Sequence, residues 1–213
     1  MGRVAGVTSA QTRARLLRAA ADVFAARGYD GTRVADIAEA AGVSNGALYA
    51  HFGSKAALLV AALRAHGGRV LADLLAADPS RPVKDLLLQA GRCLPTQLGD
   101  RRYLAVEALI AARRDDDVAE PMRQYTSERA RWLAGLVQAG QASGELDPAL
   151  SPGAVAHFCF LLATGSAVVT PDLHAVDDAE WAMLLTRVVR AIAPSQPTSA
   201  QEEPGAGTAL AAR

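Results

Sequence analysis

Little in this chain points to export, a membrane or a metal. Its 213 residues contain two cysteines, Cys93 and Cys159, too few for a disulfide framework, so a cytoplasmic setting with reduced thiols is expected. The opening MGRVAGVTSAQTRAR has no apolar core of a secretory signal. Every apolar run meets Arg, Asp or Gly before the ~18 residues a spanning helix needs, so no membrane association is expected. Aromatic residues make up 5% of the chain and β-branched runs are short, which leaves no strand signal. The four histidines (51, 66, 157, 174) are scattered, and residues 80–193 hold no phosphate-cradling glycine loop, no metal-ligand spacing and no nucleophile elbow. No catalytic residue, cofactor or metal is expected, and an enzyme is disfavoured.

Charge of either sign is not in excess, with 22 basic and 22 acidic side chains. The balance hides an asymmetry. Residues 1–66 hold eight Lys or Arg against four Asp or Glu, and residues 67–213 hold 14 against 18. A basic head on an acidic body points to a polyanion as the partner of the head. With 51% hydrophobic residues, a substantial core is available and disorder throughout is excluded.

Apolar spacing and punctuation predict about nine helices and an all-α fold. Thr8 and Gln11 form a capping box ahead of Leu16, Leu17, Ala20, Val23 and Phe24, and Gly28 ends that helix. Thr32 is expected to cap a short second helix through Val34, Ile37, Ala38 and Ala41. Ser44 caps a third, running to Phe52, and Ser54 caps a fourth of some six turns that fades near Asp78-Pro79. Pro82 opens the next, and Pro95 should kink or end it. Helices over about 100–114, 118–143, 152–170 and 177–193 follow, and residues 194–213, rich in Pro, Gly, Ser and Glu, read as a disordered tail.

The second helix, the Gly42-Val43 turn and the third helix have the build of a helix-turn-helix: Gly42 supplies a positive φ, Val43 plugs the angle and Ser44 starts the next helix at once. Such a unit lays its second helix in the DNA major groove. The wider pattern is Leu16-Leu17, Ala20, Phe24, Gly28-Tyr29, Thr32, Val34, Ile37-Ala38, Ala41-Gly42-Val43-Ser44, Gly46, Leu48-Tyr49, His51-Phe52, Ser54-Lys55 and Leu58-Leu59. Over residues 12–60 it closely resembles the DNA-binding domain of the TetR (tetracycline repressor) family. The remaining ~150 residues resemble that family only in length, helicity and helix order.

From the residues themselves, Asn45 is the candidate base reader, because a side-chain amide can bond adenine bidentately. Gly46 permits close approach to the DNA backbone, and Ala47 offers a methyl to thymine. Ser44 caps the helix and, by the resemblance, also meets a phosphate. The resemblance likewise implies phosphate contacts for Tyr49, His51 and Lys55. Lys55, in the first turn of a helix that favours anions there, is explained by a facing phosphate. Arg33 stands where the family often has Thr, and its contact is a phosphate or an adjacent base. Leu48, Phe52, Ile37, Phe24 and Val43 read as core.

The expected organisation is a helix-turn-helix domain over 8–53, an effector-binding and dimerisation domain over 54–193, and the tail. Apolar excess on the last two helices (about 152–170 and 177–193), at Leu161, Leu162, Gly165, Val168, Trp181, Leu184, Leu185 and Val188, points to a homodimer. In the family these helices form the dimer interface, and the middle helices hold a small-molecule effector. Candidate effector contacts are Tyr103, Glu107, Arg113, Tyr125, Trp132 and His157. The expected function is a ligand-responsive transcriptional regulator, a repressor by the family's habit, binding a near-palindromic double-stranded operator. The alternative is a constitutive DNA-binding architectural or adaptor protein without an effector.

Overall fold

The computed structural model describes residues 8–94 and 100–194. Pro95, residues 1–7 and all of the expected tail but Pro194 lie outside the described residues. Among the described residues there are ten α-helices, one 3-10 turn and no strand. The first four helices are α1 (Ser9–Arg27), α2 (Val34–Ala41), α3 (Asn45–His51) and α4 (Lys55–His66).

Local chemistry sets the helix starts. Thr8 Oγ1 accepts the Gln11 N–H at 3.2 Å while Gln11 Oε1 accepts the Thr8 N–H at 2.8 Å, the reciprocal cap read from the sequence. Ser44 and Ser54 cap α3 and α4 as expected. Thr32 does not cap α2. It is buried, and its hydroxyl donates to the Gly28 carbonyl at 2.6 Å, so it closes the turn after α1. The N-cap of α2 is Arg33, whose N–H is accepted by Asp36 Oδ2 at 3.2 Å.

The fourth helix expected from the sequence is divided in two. α4 stops where the Gly67 N–H donates to the Leu63 carbonyl at 2.7 Å, and α5 (Val70–Ala77) starts afresh. A Cβ at Gly67 would stand 2.6 Å from the Leu63 carbonyl oxygen, so the close approach that breaks the helix requires glycine there. The body continues with α6 (Val83–Cys93), the 3-10 turn Asp100–Arg102, α7 (Tyr103–Ala111), α8 (Asp116–Ala142), α9 (Pro152–Val168) and α10 (Asp178–Ala191). Pro82 is the N-cap of α6, one place before the expected first helical position.

Head and body share one core. It runs from Phe24, Ile37 and Leu48 through Leu58, Leu59 and Leu63 to Leu104, Ala108, Val118 and Met122. Each of the large residues removes enough apolar surface from water to contribute about 1.5–3 kcal/mol. α4 packs against α1, α7 and α8, which makes it the wall common to both parts. A second cluster of Val83, Val137 and Leu146 closes the far end. α10 packs on α6, where the Trp181 indole N–H donates to the Gly91 carbonyl at 3.1 Å and Leu185 is buried. A Cβ at Gly91 would lie 3.0 Å from Leu185 Cδ1, so this glycine sets the closeness of the pair. Trp181 and Leu185, expected on the dimer face, therefore serve packing within the chain.

Candidate nucleic-acid interface and body cavity

Three constraints hold α3 in place. Gly42 takes the left-handed conformation (φ 64°, ψ 41°) that ends α2, and the Val43 N–H returns to the Ala38 carbonyl at 2.9 Å. Arg15, from α1, donates to the Ala41 carbonyl, so the last carbonyl of α2 is satisfied from another helix. Leu48 is fully buried and fastens α3 to the core. Sequence reasoning misses Arg15, because a basic residue on a capped helix looks like any solvated one.

With Leu48 turned inward, Ser44, Asn45, Gly46 and Tyr49 are exposed, and Ala47, His51 and Lys55 are half-buried. Ser44 Oγ accepts the Ala47 N–H at 3.2 Å, which leaves the early N–H groups of α3 directed outward at its exposed end. Asn45 and Tyr49 are one helical turn apart and so share a face. Arg13, which sequence reasoning also misses, holds its guanidinium 5.1 Å from the Phe52 ring centroid and adds a cation beside the C-terminal end of α3. The Lys55 ammonium lies 4.2 Å from the Tyr29 ring centroid, placed by an aromatic face rather than by a carboxylate.

Arg33 is tied down locally. Its Nη2 is 2.9 Å from Asp36 Oδ1, and Arg27 reaches the same carboxylate at 3.2 Å. The Asp36 carboxyl is held below its ordinary range, first by the Arg33 side-chain hydrogen bond. Two guanidinium groups thus share the Asp36 carboxylate, and Glu39 of α2 also acts on Arg33.

In the body, a cavity of about 600 Å³ lies among α5 to α9. Of the candidate effector contacts, Tyr125, Trp132 and His157 line it. Tyr103 stacks beneath the Arg102 guanidinium instead, and Arg113 is exposed, away from the cavity wall. Glu107 lines a separate crevice of about 370 Å³ at the head–body junction, where a Cβ at Gly28 would stand 2.9 Å from its Oε2. Arg102 and Arg129, not picked out from the sequence, contribute to the larger cavity. Among the described residues no cluster of three or more His, Cys, Asp or Glu is placed to hold a metal. No single described helix is long and apolar enough to cross a membrane.

An exposed, capped recognition helix on a three-helix head, carried by a helical body with an apolar cavity, defines a helix-turn-helix DNA-binding regulator. Comparison with known proteins narrows that class. Residues 16–62 match the bacterial regulatory proteins of the tetR family. Over 166 residues, 71% of this chain and 77% of its relative, the sequence is 34% identical to the HTH-type transcriptional regulator TtgR of Pseudomonas putida. Over 64 residues, 30% of this chain and 32% of the other, it is 47% identical to the HTH-type transcriptional repressor KstR2 of Mycobacterium tuberculosis. The solved structure of Salmonella enterica GusR has the same fold, with a TM-score of 0.73 at 24% identity over 87% of this chain and 97% of that one. The chain belongs to the TetR family of bacterial transcriptional regulators, and its function is DNA-binding regulation of transcription.

Proposed function

We propose that this protein is an effector-responsive repressor that grips a near-palindromic operator as a homodimer in the cytoplasm. The reading rests on one observation: the core beneath α3 continues without interruption through α4 to the helices around the 600 Å³ cavity. Residues 8–53 meet DNA and residues 54–193 hold the effector and the partner copy. Asn45 reads a base edge, with Gly46 and Ala47 close to the groove floor. Ser44, Tyr49, His51 and Lys55 hold phosphates, and Arg33 adds charge at the edge.

The partner copy is supported by an unpaired apolar stripe. Phe158, Leu161 and Val168 on α9, with Met183 and Leu184 on α10, are about half-exposed or more. Gly165 sits in the same stripe with nothing within 4 Å of a Cβ built on it, which leaves room for a second helix to approach closely. Two such copies present two heads to half-sites about 34–36 Å apart. The effector acts only through its different affinity for DNA-competent and DNA-incompetent states, a coupling of typically about 1–3 kcal/mol, with α4 as the lever. A constitutive architectural binder would have no use for an apolar cavity of this size, and the cavity favours the effector reading over it.

The test is binding of the full-length protein to the promoter next to its own gene, at several salt concentrations, against random duplex. A clear preference for the promoter fragment is expected. Equal affinity for both would overturn the reading.

A further inference from the structure

The wall of the 600 Å³ cavity is mostly apolar, and its charges are one-sided. Arg102 and Arg129 contribute to it, and among the described residues no Asp or Glu does. This contrasts with a chain that has as many acidic as basic residues.

The two arginines differ in their surroundings. Arg102 donates to the Tyr103 hydroxyl at 2.8 Å and lies over that ring. It also feels Asp172 from outside the wall: the Asp172 carboxyl is held low first by a Thr170 hydrogen bond and also by Arg102. Arg129 is half-buried. Its guanidinium lies 5.8 Å from the Trp132 ring centroid, and its Nη2 reaches the Gly68 carbonyl at 3.4 Å, a long bond to a neutral acceptor. Among the described residues it forms no ion pair with a carboxylate, and the adjoining Glu128 is held by Arg64 of α4. A guanidinium at the edge of an apolar cavity, without a counter-charge, is a strong site for a carboxylate or sulfonate, which it binds through paired N–H donors. A cation entering the same cavity would meet two guanidinium groups and no carboxylate.

We propose that the effector is a lipophilic anion, an apolar drug-sized skeleton carrying one carboxylate or sulfonate whose charged end pairs with Arg129. This rests on the effector reading above and adds the chemical class. A cavity of this volume suits a drug-sized molecule.

The test uses two probes that share one skeleton, the anion 8-anilinonaphthalene-1-sulfonate and the uncharged N-phenyl-1-naphthylamine, with rhodamine 6G as a cation. Each is titrated by fluorescence into the full chain. The anion is expected to bind about tenfold tighter than its uncharged counterpart or more, the range of a charge-assisted hydrogen bond. Arg129→Gln should erase that difference by weakening the sulfonate alone, and Arg129→Lys should keep part of it. Val106→Trp, which fills the cavity, should weaken both naphthyl probes. Equal binding of the two, or tighter binding of rhodamine, overturns the anionic class but leaves the effector reading standing if Val106→Trp still expels the probes. Binding that Val106→Trp does not change overturns the effector reading and the proposal with it. If Arg129→Gln does not fold, the order of the probes on the wild-type chain and on Arg129→Lys decides the outcome.

Discussion

The Tyr29 hydroxyl donates to Asp115 Oδ2 at 2.9 Å, and the other oxygen of that carboxylate accepts the Asp117 N–H at the start of α8. One carboxylate therefore both caps the longest helix of the body and holds the aromatic residue that follows α1. The Tyr29 ring in turn carries the Lys55 ammonium on its face. The head is thus joined to the body by a polar link as well as by the shared core. Burial, first, and then the Asp115 hydrogen bond push the phenol above its ordinary range.

Tyr29→Phe keeps the ring, and with it the seat of Lys55, but removes the donor. A partly buried hydrogen bond to a carboxylate makes the expected loss about 1–2 kcal/mol, read by urea denaturation at pH 7.5. The sign with pH follows from linkage. The folded state holds the phenolic proton more tightly than the unfolded chain does. The stability from Tyr29 is therefore present below the unfolded value of about 10 and is lost as pH rises beyond it. The wild type should lose stability between about pH 9.5 and 11 more steeply than Tyr29→Phe. Parallel profiles would separate the hydrogen bond from the alkaline response.

Asn45 and Lys55 are assigned different work, and the two substitutions should fail differently. Lys55→Ala is expected to weaken binding to operator and random duplex alike, and to flatten the slope of log K against log salt by about one for each copy in the dimer. Asn45→Ala should cost about 1–3 kcal/mol for each half-site of the preferred operator, with little effect on random DNA. Fluorescence anisotropy at several salt concentrations distinguishes the two. Equal weakening on both duplexes by Asn45→Ala would move that residue to the phosphate contacts.

How much of this is legible in the sequence depends on how local the signal is. The reciprocal Thr8–Gln11 cap, the Ser44 and Ser54 caps and the Gly42 turn depend on neighbours in sequence, and the structure has each where the pattern puts it. Thr32 departs from its expected role because its hydroxyl has a competing acceptor, the Gly28 carbonyl, that only the fold of the turn brings within 2.6 Å. The break at Gly67 is hidden because a glycine inside an apolar pattern is tolerated in many helices. What decides it is the approach of the Leu63 carbonyl. Arg15 and Arg129 read as solvated basic residues, and their partners lie 26 and 61 positions away. Trp181 and Leu185 have the same apolar character as Leu184, and nothing in their spacing says which side of α10 meets α6.

The stripe on α9 and α10 gives a direct test of assembly. Leu161 is 56% exposed and makes little of the chain's own core. Leu161→Arg should therefore leave the monomer folded by circular dichroism while putting a charge into an apolar interface. The expected mass by light scattering falls from dimer to monomer at micromolar concentration, and operator affinity falls by more than about tenfold because two heads no longer bind as one unit. A variant that remains dimeric would place the interface on another face.

His66 closes α4 and is half-buried there. The helix C-terminus favours a protonated imidazole. Burial, first, and then the nearby Arg101 and Arg18 outweigh it and lower the pKa, with Asp22 opposing them. The folded state thus binds this proton less tightly than the unfolded chain, whose value is about 6.5. Nothing is lost above neutrality. As pH falls through about 6.5 the unfolded chain gains the proton first and stability drops, until the lower folded value is passed. Between about pH 7.5 and 5.5 the Tm of the wild type should fall further than that of His66→Gln, measured by calorimetry in the same buffers. Carboxylates held low in the fold, such as Glu128 with Arg64, weaken at lower pH in both proteins, so the difference between the two profiles isolates the imidazole. If the two profiles fall by the same amount over this window, another group is responsible for the loss on the acid side.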